Sequence, residues 1–525
     1  MVLLYGEDPY VTVFLKQRGI EHAPFSSHKD DERAKILWVL APLKEEDGPA
    51  VARFHSSGGH IIGYSGHLQS MISLKTTPVW IENMRGDASP LFDGINNILL
   101  KMHGEAIEHA SCGRTNDAIP SIMVMEARGG KGRVVAYPFS VQNIRQEGIF
   151  KKKILFYDQI YHEYMAGRSY HLINTLFFNA IRMLMNLDDK PFITRSLFPS
   201  PYTGGISFRV DADYYHPEGW LAVQDILRGC EKHTTIFINT WTHRRHARFV
   251  AGLKTAGFDI QSHMHVHTTY DDYRRNKKNL EKSLEIFNKW NMKITGVASP
   301  YSIWNVQYNR CVEDSGLTYT SEFGYSYLDL PSRTVTPAGF ISSIVQCGIF
   351  PIALECFLYE RSRGFCDTFI EYIRHAVMKG EHIVLYLHPN NNTHLSRNNI
   401  EYVIREISGI AACWFCSMSD LVKRYLDYEK DGRLERLQLH TRTTHATTAG
   451  CDTSPAAGIG RLDTVPIVEM DFEAVEALTI KKQMLIVLIN VKGWLFRKGL
   501  FCRAFFVLES IIRQMRAFLK DRQSG

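Results

Sequence analysis

The chain contains 525 residues, of which 45% are hydrophobic and 22% are charged. These proportions are typical of globular proteins and exclude a disordered or fibrous one, and the length predicts two or three domains. The formal net charge is only +6, which is too small for a chain of this length to indicate nucleic acid as a partner.

The start of the chain and its cysteines bear on the cellular compartment. The opening stretch MVLLYGEDPY lacks the positively charged region and long apolar run of a secretory signal. No stretch offers the roughly 18 uninterrupted apolar residues of a membrane-spanning helix. The ten cysteines show no disulfide framework, which is typical of free thiols in a reducing cytoplasm. Cys413 and Cys416 form a CxxC pair, but no second pair accompanies it, so we do not favour a metal or redox role.

Residues 1–150 show strand and helix patterns in alternation, which predicts an α/β domain with a parallel sheet. Strand-like runs begin at VLLYG, AKILWVLAPL and HIIGYSG, and a hairpin is expected around ARGGKGR. This region resembles the glutamine-amidotransferase-like domain of flavodoxin type that some carbohydrate-active enzymes carry. The turn that holds the nucleophilic cysteine in such domains is here 63–66, without cysteine. Ser65 could act as a nucleophile at such an elbow, but we favour a structural or binding role.

The remainder of the chain divides by composition. Residues 151–200 are predicted to be a connector, with an apolar-rich helix packed between domains and a linker rich in proline and glycine. Residues 429–466 are expected to be a polar linker, and residues 467–525 a basic amphipathic segment. Such a helix can lie on an anionic membrane surface, although docking on the protein itself or on a partner chain is the favoured interpretation.

Between residues 201 and 428, seven strand-like segments alternate with helical ones. This pattern predicts a deformed barrel of the (β/α)7 type, in which functional side chains gather at the carboxyl ends of the strands. Seven polar residues fall at or just after such ends: Asp211, Asp213, His263, His267, Tyr301, Glu322 and His388.

The stretch FDIQSHMHVH carries three histidines at alternating positions after a strand-like run. On one helical turn His263 and His267 would share a face, and in an extended segment His265 would join them. Two imidazoles can converge on a divalent metal, but such a site usually includes a carboxylate or a thiolate as well. The best carboxylate donors are Asp211 and Asp213, which end the strand-like run GISFRVDAD.

Four motifs in this order resemble the polysaccharide deacetylases, the NodB-homology fold of carbohydrate esterase family four. The resemblance covers about residues 200–425. FRVDAD corresponds to the strand that ends in two aspartates, and TAGFDIQSHMHVH to the histidine pair four residues apart. ASPYSIWN, with Pro300 and Tyr301, corresponds to the Pro-Tyr motif, and LYLHPN to the final Leu-x-His.

The resemblance implies a role for each matching residue. Asp213, His263 and His267 would hold the metal, most simply zinc, leaving a coordination position for water. Asp211 would be the general base and His388 the general acid, and the backbone N–H of Tyr301 would help to hold the oxyanion. Those steps amount to hydrolysis of an amide, here removal of acetyl from an N-acetyl sugar.

The sequence departs from the family pattern at three places. Ala212 separates the two aspartates, Met264 replaces the usual Ser or Thr, and Ala298 replaces the arginine that orients the base. We expect Arg209 to take over that last task, since it lies two residues before Asp211 on the same strand and points to the same side. An ordinary rim arginine is the alternative.

Two further residues have open assignments. Glu322 is either an extra ligand or substrate contact, or a solvated strand end. His265 is expected to support the site or to be exposed rather than to bind the metal.

The sequence therefore predicts a metal-dependent N-deacetylase that acts on a polysaccharide or glycan precursor in the cytoplasm. The alternative is a catalytically inactive barrel that binds carbohydrate or organises partners. Hydrolysis of a non-sugar amide would use the same residues. Oligomeric state is not predicted.

Overall fold

The computed structural model describes residues 1–26, 34–69, 71, 75–86, 89–95, 97–108, 122–126, 132–145, 150–156, 159–187, 192–359, 362–431 and 437–440. The strands of the first part are β1 (Val2–Tyr5), β2 (His22–Pro24), β3 (Ile36–Val39), β4 (His60–Tyr64), β5 (Lys75–Arg85), β6 (Asn97–Glu108), β7 (Met123–Glu126), β8 (Arg133–Tyr137), β9 (Phe150–Phe156), β10 (Gln159–Ala166) and β11 (Phe192–Arg195). The helices of this part are α1 (Pro9–Gln17), α2 (Gly48–Ser56), α3 (Ser65–Leu68) and α4 (Tyr170–Leu187).

The first sheet has the order β2-β1-β3-β4-β8-β7, in which β7 alone is antiparallel to its neighbour. Helix α1 begins where the side chain of Asp8 accepts the backbone N–H of Tyr10 at 2.9 Å, directly before a proline that suits a first helical turn. On the same face, Phe177 of α4 packs edge-on against Trp38, with ring centroids 5.0 Å apart. The predicted alternation of strands and helices with a parallel sheet is confirmed.

Three features of this part differ from the sequence prediction. The long antiparallel hairpin of β5 and β6 was not predicted. The charged stretch that begins the expected helical connector at residue 151 is an antiparallel hairpin of β9 and β10. Helix α4, expected to connect two domains, belongs to the hydrophobic core of the first part. Its buried face, which includes Ile173, Leu176 and Phe177, packs with α1 and the sheet.

The second part of the chain forms a larger sheet. Its strands are β12 (Gly204–Ala212), β13 (Thr234–Ile238), β14 (Asp259–Ser262), β15 (Gly296–Ala298), β16 (Tyr319–Ser321), β17 (Ser332–Val335), β18 (Ile341–Gln346), β19 (His382–Leu387) and β20 (Cys413–Phe415). One more strand, β21 (Leu437–His440), follows in the chain but lies outside this sheet. The helices are α5 (Pro217–Ile226), α6 (Thr240–His243), α7 (Ala247–Thr255), α8 (Tyr273–Lys289), α9 (Val306–Asp314), α10 (Leu354–Phe357), α11 (Arg363–Met378), α12 (Asn391–Ser408) and α13 (Met418–Asp431).

The order in this sheet is β17-β18-β16-β15-β14-β13-β12-β19, and β20 also pairs with β12. All neighbours from β18 to β19 are parallel, and β17 is antiparallel to β18. The backbone N–H of Phe350 donates to the carbonyl of Val384 at 2.9 Å, so the segment after β18 reaches the strand at the other end of the sheet. Parallel strands bring their carboxyl ends to one edge, which is where the candidate site lies.

The two parts meet at a buried polar network. The carboxylate of Asp329, in the loop between β16 and β17, accepts from Gln17 Nε2 at 3.1 Å and from Asn174 Nδ2 at 2.9 Å. Because Gln17 ends α1 and Asn174 lies in α4, this network joins the first core to a loop of the second sheet.

The expected linker from residue 429 is partly regular structure, because α13 ends at Asp431 and β21 pairs antiparallel with β11. The rest of that linker and the basic segment 467–525 lie outside the described residues, so the prediction for them stays a prediction. Among the described residues, no helix combines the length and the apolar character needed to cross a membrane.

Candidate metal and catalytic site

Three side chains converge at the carboxyl edge of the large sheet. Oδ1 of Asp213 lies 3.0 Å from Nε2 of His263 and 3.0 Å from Nε2 of His267, and the two Nε2 atoms are 3.2 Å apart. Asp213 follows β12, and both histidines follow β14 in the loop after Ser262. Within the described residues, this is the group of acidic, imidazole and thiol side chains whose ligand atoms come close enough together to hold a metal ion.

The loop after β14 has the conformation that brings the two histidines together. Met264 between them adopts a left-handed backbone, with φ at 62°, which is uncommon for a residue other than glycine. Its fully buried side chain packs with Leu280 and Val297, so the hydrophobic contact holds the turn in place. The loop is therefore neither the helical turn nor the extended strand that the spacing allows, and only two of its three histidines share the cluster.

The residues present fit a divalent metal. Nδ1 of His263 lies 3.0 Å from the carbonyl oxygen of Ala298, which can only accept, so Nδ1 carries a proton and Nε2 is the nitrogen that could offer a lone pair to a metal. Two imidazole nitrogens and a carboxylate oxygen are a ligand set that suits zinc. Burial by itself raises the pKa of Asp213, but His267 and His263 hold it well below its usual range. The carboxylate is therefore ionised, as a ligand must be.

Asp211 lies beside this cluster and is held by Arg209 on the same strand. Nε of Arg209 donates to Oδ1 of Asp211 at 2.6 Å, and Nη2 donates to Oδ2 at 2.8 Å. Both side chains are buried. Burial by itself raises the pKa of Asp211, but the guanidinium and then His263 lower it below its ordinary value. The two residues meet because side chains two apart on a strand point to the same face.

Arg209 is not a rim arginine, since its side chain is entirely enclosed by the second sheet. Nη1 donates to both the carbonyl and the hydroxyl of Ser321, each at 2.8 Å. The guanidinium also lies over the rings of Phe237, at 4.9 Å, and Tyr386, at 5.8 Å. This enclosure fixes the position of the charge next to Asp211. Ala298, where the family pattern has arginine, is a small buried residue at the end of β15.

His388 follows β19 and forms an ion pair that the sequence did not predict. Its Nδ1 lies 2.5 Å from Oε1 of Glu355, a fully buried residue of α10. Burial by itself lowers the pKa of His388, but Glu355, and then Asp213 and Asp211, raise it to about 10. The imidazole is therefore protonated at neutral pH. Asp213 and Asp211 both act on the pKa of His388, and all three residues lie at or just after the carboxyl ends of neighbouring strands.

Tyr301 and Pro300 form a short 3₁₀ turn at the end of β15. The ring of Tyr301 packs edge-on against His267, with centroids 4.7 Å apart. The backbone is left-handed at both Tyr301 and Ser302, with φ at 58° and 52°. Such conformations persist only where the surroundings impose them, and they are frequent at functional sites.

His265 and Glu322 lie apart from the cluster. Nδ1 of His265 is 3.1 Å from the hydroxyl of Thr240, and its ring packs edge-on against Trp241. Glu322 is fully buried rather than a solvated strand end, and Thr320 donates to its Oε2 at 2.6 Å. Burial raises the pKa of Glu322 to about 8.

Two other sequence candidates can be placed. The hydroxyl of Ser65 is buried and donates to Oε2 of Glu105 at 3.0 Å, a contact that ties α3 to β6. Cys413 and Cys416 are buried free thiols, and burial raises the pKa of both, that of Cys413 to about 12. A raised pKa disfavours the thiolate that metal binding or redox chemistry needs.

Comparisons with known proteins give matches among solved structures alone, since no family model and no curated protein matches the chain. The chain is similar to a putative polysaccharide deacetylase from Mycobacterium smegmatis, with 18% identity and a TM-score of 0.36, over 44% of this chain and 92% of that one. It is similar to PuuE allantoinase, with 12% identity and a TM-score of 0.38, over 44% and 93%. It is also similar to a CE4 family pseudoenzyme from Bacillus anthracis, with 12% identity and a TM-score of 0.30, over 42% and 66%.

Proposed function

We propose that this protein is a metal-dependent hydrolase that removes the acetyl group from an N-acetylated sugar of a polysaccharide or glycan precursor. The observation that carries the proposal is the meeting of three functional groups at one edge of the sheet. These are the Asp213, His263 and His267 cluster, the carboxylate of Asp211 and the imidazole of His388. Each of them also matches a motif that resembles the polysaccharide deacetylases.

Asp213, His263 and His267 would hold the metal. A divalent cation such as zinc supplies, when bound, a Lewis acid that activates water and polarises an amide carbonyl. The roles of the other residues follow from their charges. Asp211, kept ionised and oriented by Arg209, accepts a proton from the attacking water, since each carboxylate oxygen has a lone pair beyond those that face the guanidinium.

The leaving amine must receive a proton when the carbon–nitrogen bond breaks. His388 is suited to donate it, because the ion pair with Glu355 keeps its imidazole protonated at neutral pH. The backbone N–H of Tyr301 is the proposed donor to the oxyanion, since the ring of this residue packs against His267 of the cluster. Asp211 and His388 therefore have pKa values pushed in opposite directions, as an acid and base pair requires.

The first part of the chain is the proposed accessory domain. Its parallel strands β2-β1-β3-β4-β8 have the order of flavodoxin-type doubly wound sheets, with the added strand β7 beside β8. Ser65, at the turn where glutamine-amidotransferase-like domains have cysteine, has a structural contact with Glu105, which favours a role other than catalysis.

Acetate release from N-acetylglucosamine oligomers tests the proposed function. We expect the zinc-supplemented protein to release acetate, and Asp211→Asn to lower kcat by about 10²–10⁴. Asp225→Asn is the matched control, because Asp225 pairs with Arg228 on the protein surface. If the wild-type protein releases no acetate with zinc, cobalt or manganese, or if D211N is as active as D225N, the proposal is wrong.

The second candidate is an inactive barrel that binds carbohydrate or organises partners. Ala298, which replaces the arginine of the family pattern, favours it. The metal content of the purified protein separates the two candidates. About one zinc per chain, lost on His263→Ala and His267→Ala, supports the hydrolase. No metal above background in a folded protein supports the scaffold.

A further inference from the structure

A cavity of about 310 Å³ lies at the junction of the two parts of the chain. Its walls come from the end of α1, one side of α4, the loop that holds Leu328 and Leu330, the segment from β11 to Phe198, and the end of α11 with the stretch up to β19. The last two segments precede β12 and β19, whereas the metal cluster follows the carboxyl ends of the strands. None of the residues of the candidate catalytic site lines this cavity, which is therefore a separate site. Its volume is at the lower end of the range of small-molecule sites.

The cavity wall carries an excess of positive charge. Arg18, Arg195 and Lys379 line it, and within the described residues the ion pair that these three make is the long contact of Arg18 with Asp329. Glu381 also lines the cavity, so the wall has four cations, including Arg182, against the two acids Asp93 and Glu381. Arg182 also lines the cavity, but Asp93 neutralises it at 2.7 Å. Arg195 lies over the ring of Tyr428 at 4.9 Å, a contact that leaves its charge in place.

Arg18 has donors that its surroundings do not use. Its nearest acid is Asp329, at 3.9 Å, beyond hydrogen-bond distance. The carboxylate of Asp329 already accepts from four closer groups, which are Gln17, Asn174, Ser326 and the N–H of Leu330. Nε of Arg18 is buried without a hydrogen-bond partner. The guanidinium of Arg18 therefore has hydrogen-bonding capacity left for an anionic ligand.

The apolar part of the wall indicates that the ligand is larger than an inorganic ion. Phe178, Leu328, Leu330 and Tyr372 line the cavity beside the charged groups. Two arginines present planar forks of donors that match phosphate oxygens, and the wall has more cations than acids, so an anionic group of this kind suits it. We propose that this cavity binds a phosphorylated small molecule, with its phosphate on Arg18, Arg195 and Lys379 and its organic part on the apolar wall.

Inorganic phosphate is the probe, because every candidate ligand shares this group. Isothermal titration of the full chain at constant ionic strength should show saturable binding, with Kd of about 1 mM or tighter. Arg18→Met and Lys379→Met should each weaken binding about tenfold or more. Arg405→Met and Lys289→Met are matched controls on exposed helix surfaces, and we expect both to bind phosphate like the wild type.

Two results would overturn the inference: no saturable binding of phosphate to the wild type, or equal binding by R18M and K379M. Phosphate held at the metal cluster instead would give the second result. Circular dichroism and Tm show whether each variant is folded. If R18M is unfolded, K379M alone decides the question, because Lys379 is exposed at the end of α11 and its replacement leaves the core intact. None of these measurements depends on deacetylase activity.

Discussion

The variant Arg209→Met tests whether Arg209 positions the carboxylate of Asp211 or is an arginine without that role. Methionine fills much of the same volume, but it leaves Asp211 as a buried carboxylate without its countercharge. It also removes both hydrogen bonds to Ser321. Removing one partner of a buried ion pair typically costs about 3–5 kcal/mol of stability. We therefore expect the free energy of unfolding of R209M at pH 7 to fall by roughly that amount.

The loss of stability in R209M should depend on pH, and the pKa of Asp211 determines whether this loss grows or shrinks as the pH rises. In the wild type this pKa is lowered below the ordinary value of an aspartate, so the stability that the carboxylate contributes is present above that ordinary value and disappears as the pH falls through the lowered pKa. In R209M, burial acts without the opposing guanidinium and raises the pKa, so the carboxylate destabilises the variant more as the pH rises. The difference between the two proteins should therefore be larger at pH 7 than at pH 4.

The assay is urea unfolding at both pH values, together with kcat for acetate release. Arg228→Met is the matched control, since Arg228 is 77% exposed and pairs with Asp225 at the surface. We expect R228M to have the stability of the wild type, because exposed pairs contribute little. A folded R209M with unchanged stability at pH 7 and unchanged kcat would refute the positioning role.

Three further predictions follow from buried carboxyl groups. Glu355→Gln should lower the pKa of His388 toward that of an ordinary histidine, so the alkaline limb of the kcat profile should move to lower pH; an unmoved limb would exclude the ion pair as its cause. The stability of Glu322→Gln relative to that of the wild type should increase as the pH rises from about 4.5 through 8. The raised pKa of Glu322 makes the wild type lose stability in that range, and parallel unfolding curves for the two proteins would contradict this. Asp329→Ala should lower Tm, since it leaves several buried donors without an acceptor, and an unchanged Tm would show that this network contributes nothing.

The parts of the site that the sequence predicts are those fixed by local geometry. Arg209 and Asp211 meet because alternate residues of a strand share a face, and this holds in any sheet. The carboxyl ends of parallel strands bring Asp213 to the histidine pair, although the turn between His263 and His267 has a form that the spacing did not specify. Its left-handed residue is Met264, which no simple turn rule selects.

The parts that the sequence does not predict depend on contacts between distant segments. Glu355 lies 33 residues before His388 in a four-residue helix, and its only sequence signal is a single acid in the apolar stretch PIALECFLY. Strand β21 has four residues and pairs with β11, more than 240 positions earlier, so its pattern is too short to show its partner. Asp329 reads as an ordinary loop aspartate until α1 and α4 are placed beside it.

Anomalous scattering from crystals of the zinc-supplemented protein would locate the metal that Asp213, His263 and His267 are proposed to hold. We expect a peak at about 2.0–2.2 Å from Oδ1 of Asp213 and from Nε2 of both His263 and His267. A map from well-ordered crystals with no peak among these three atoms, or with zinc bound at other residues only, would contradict this expectation.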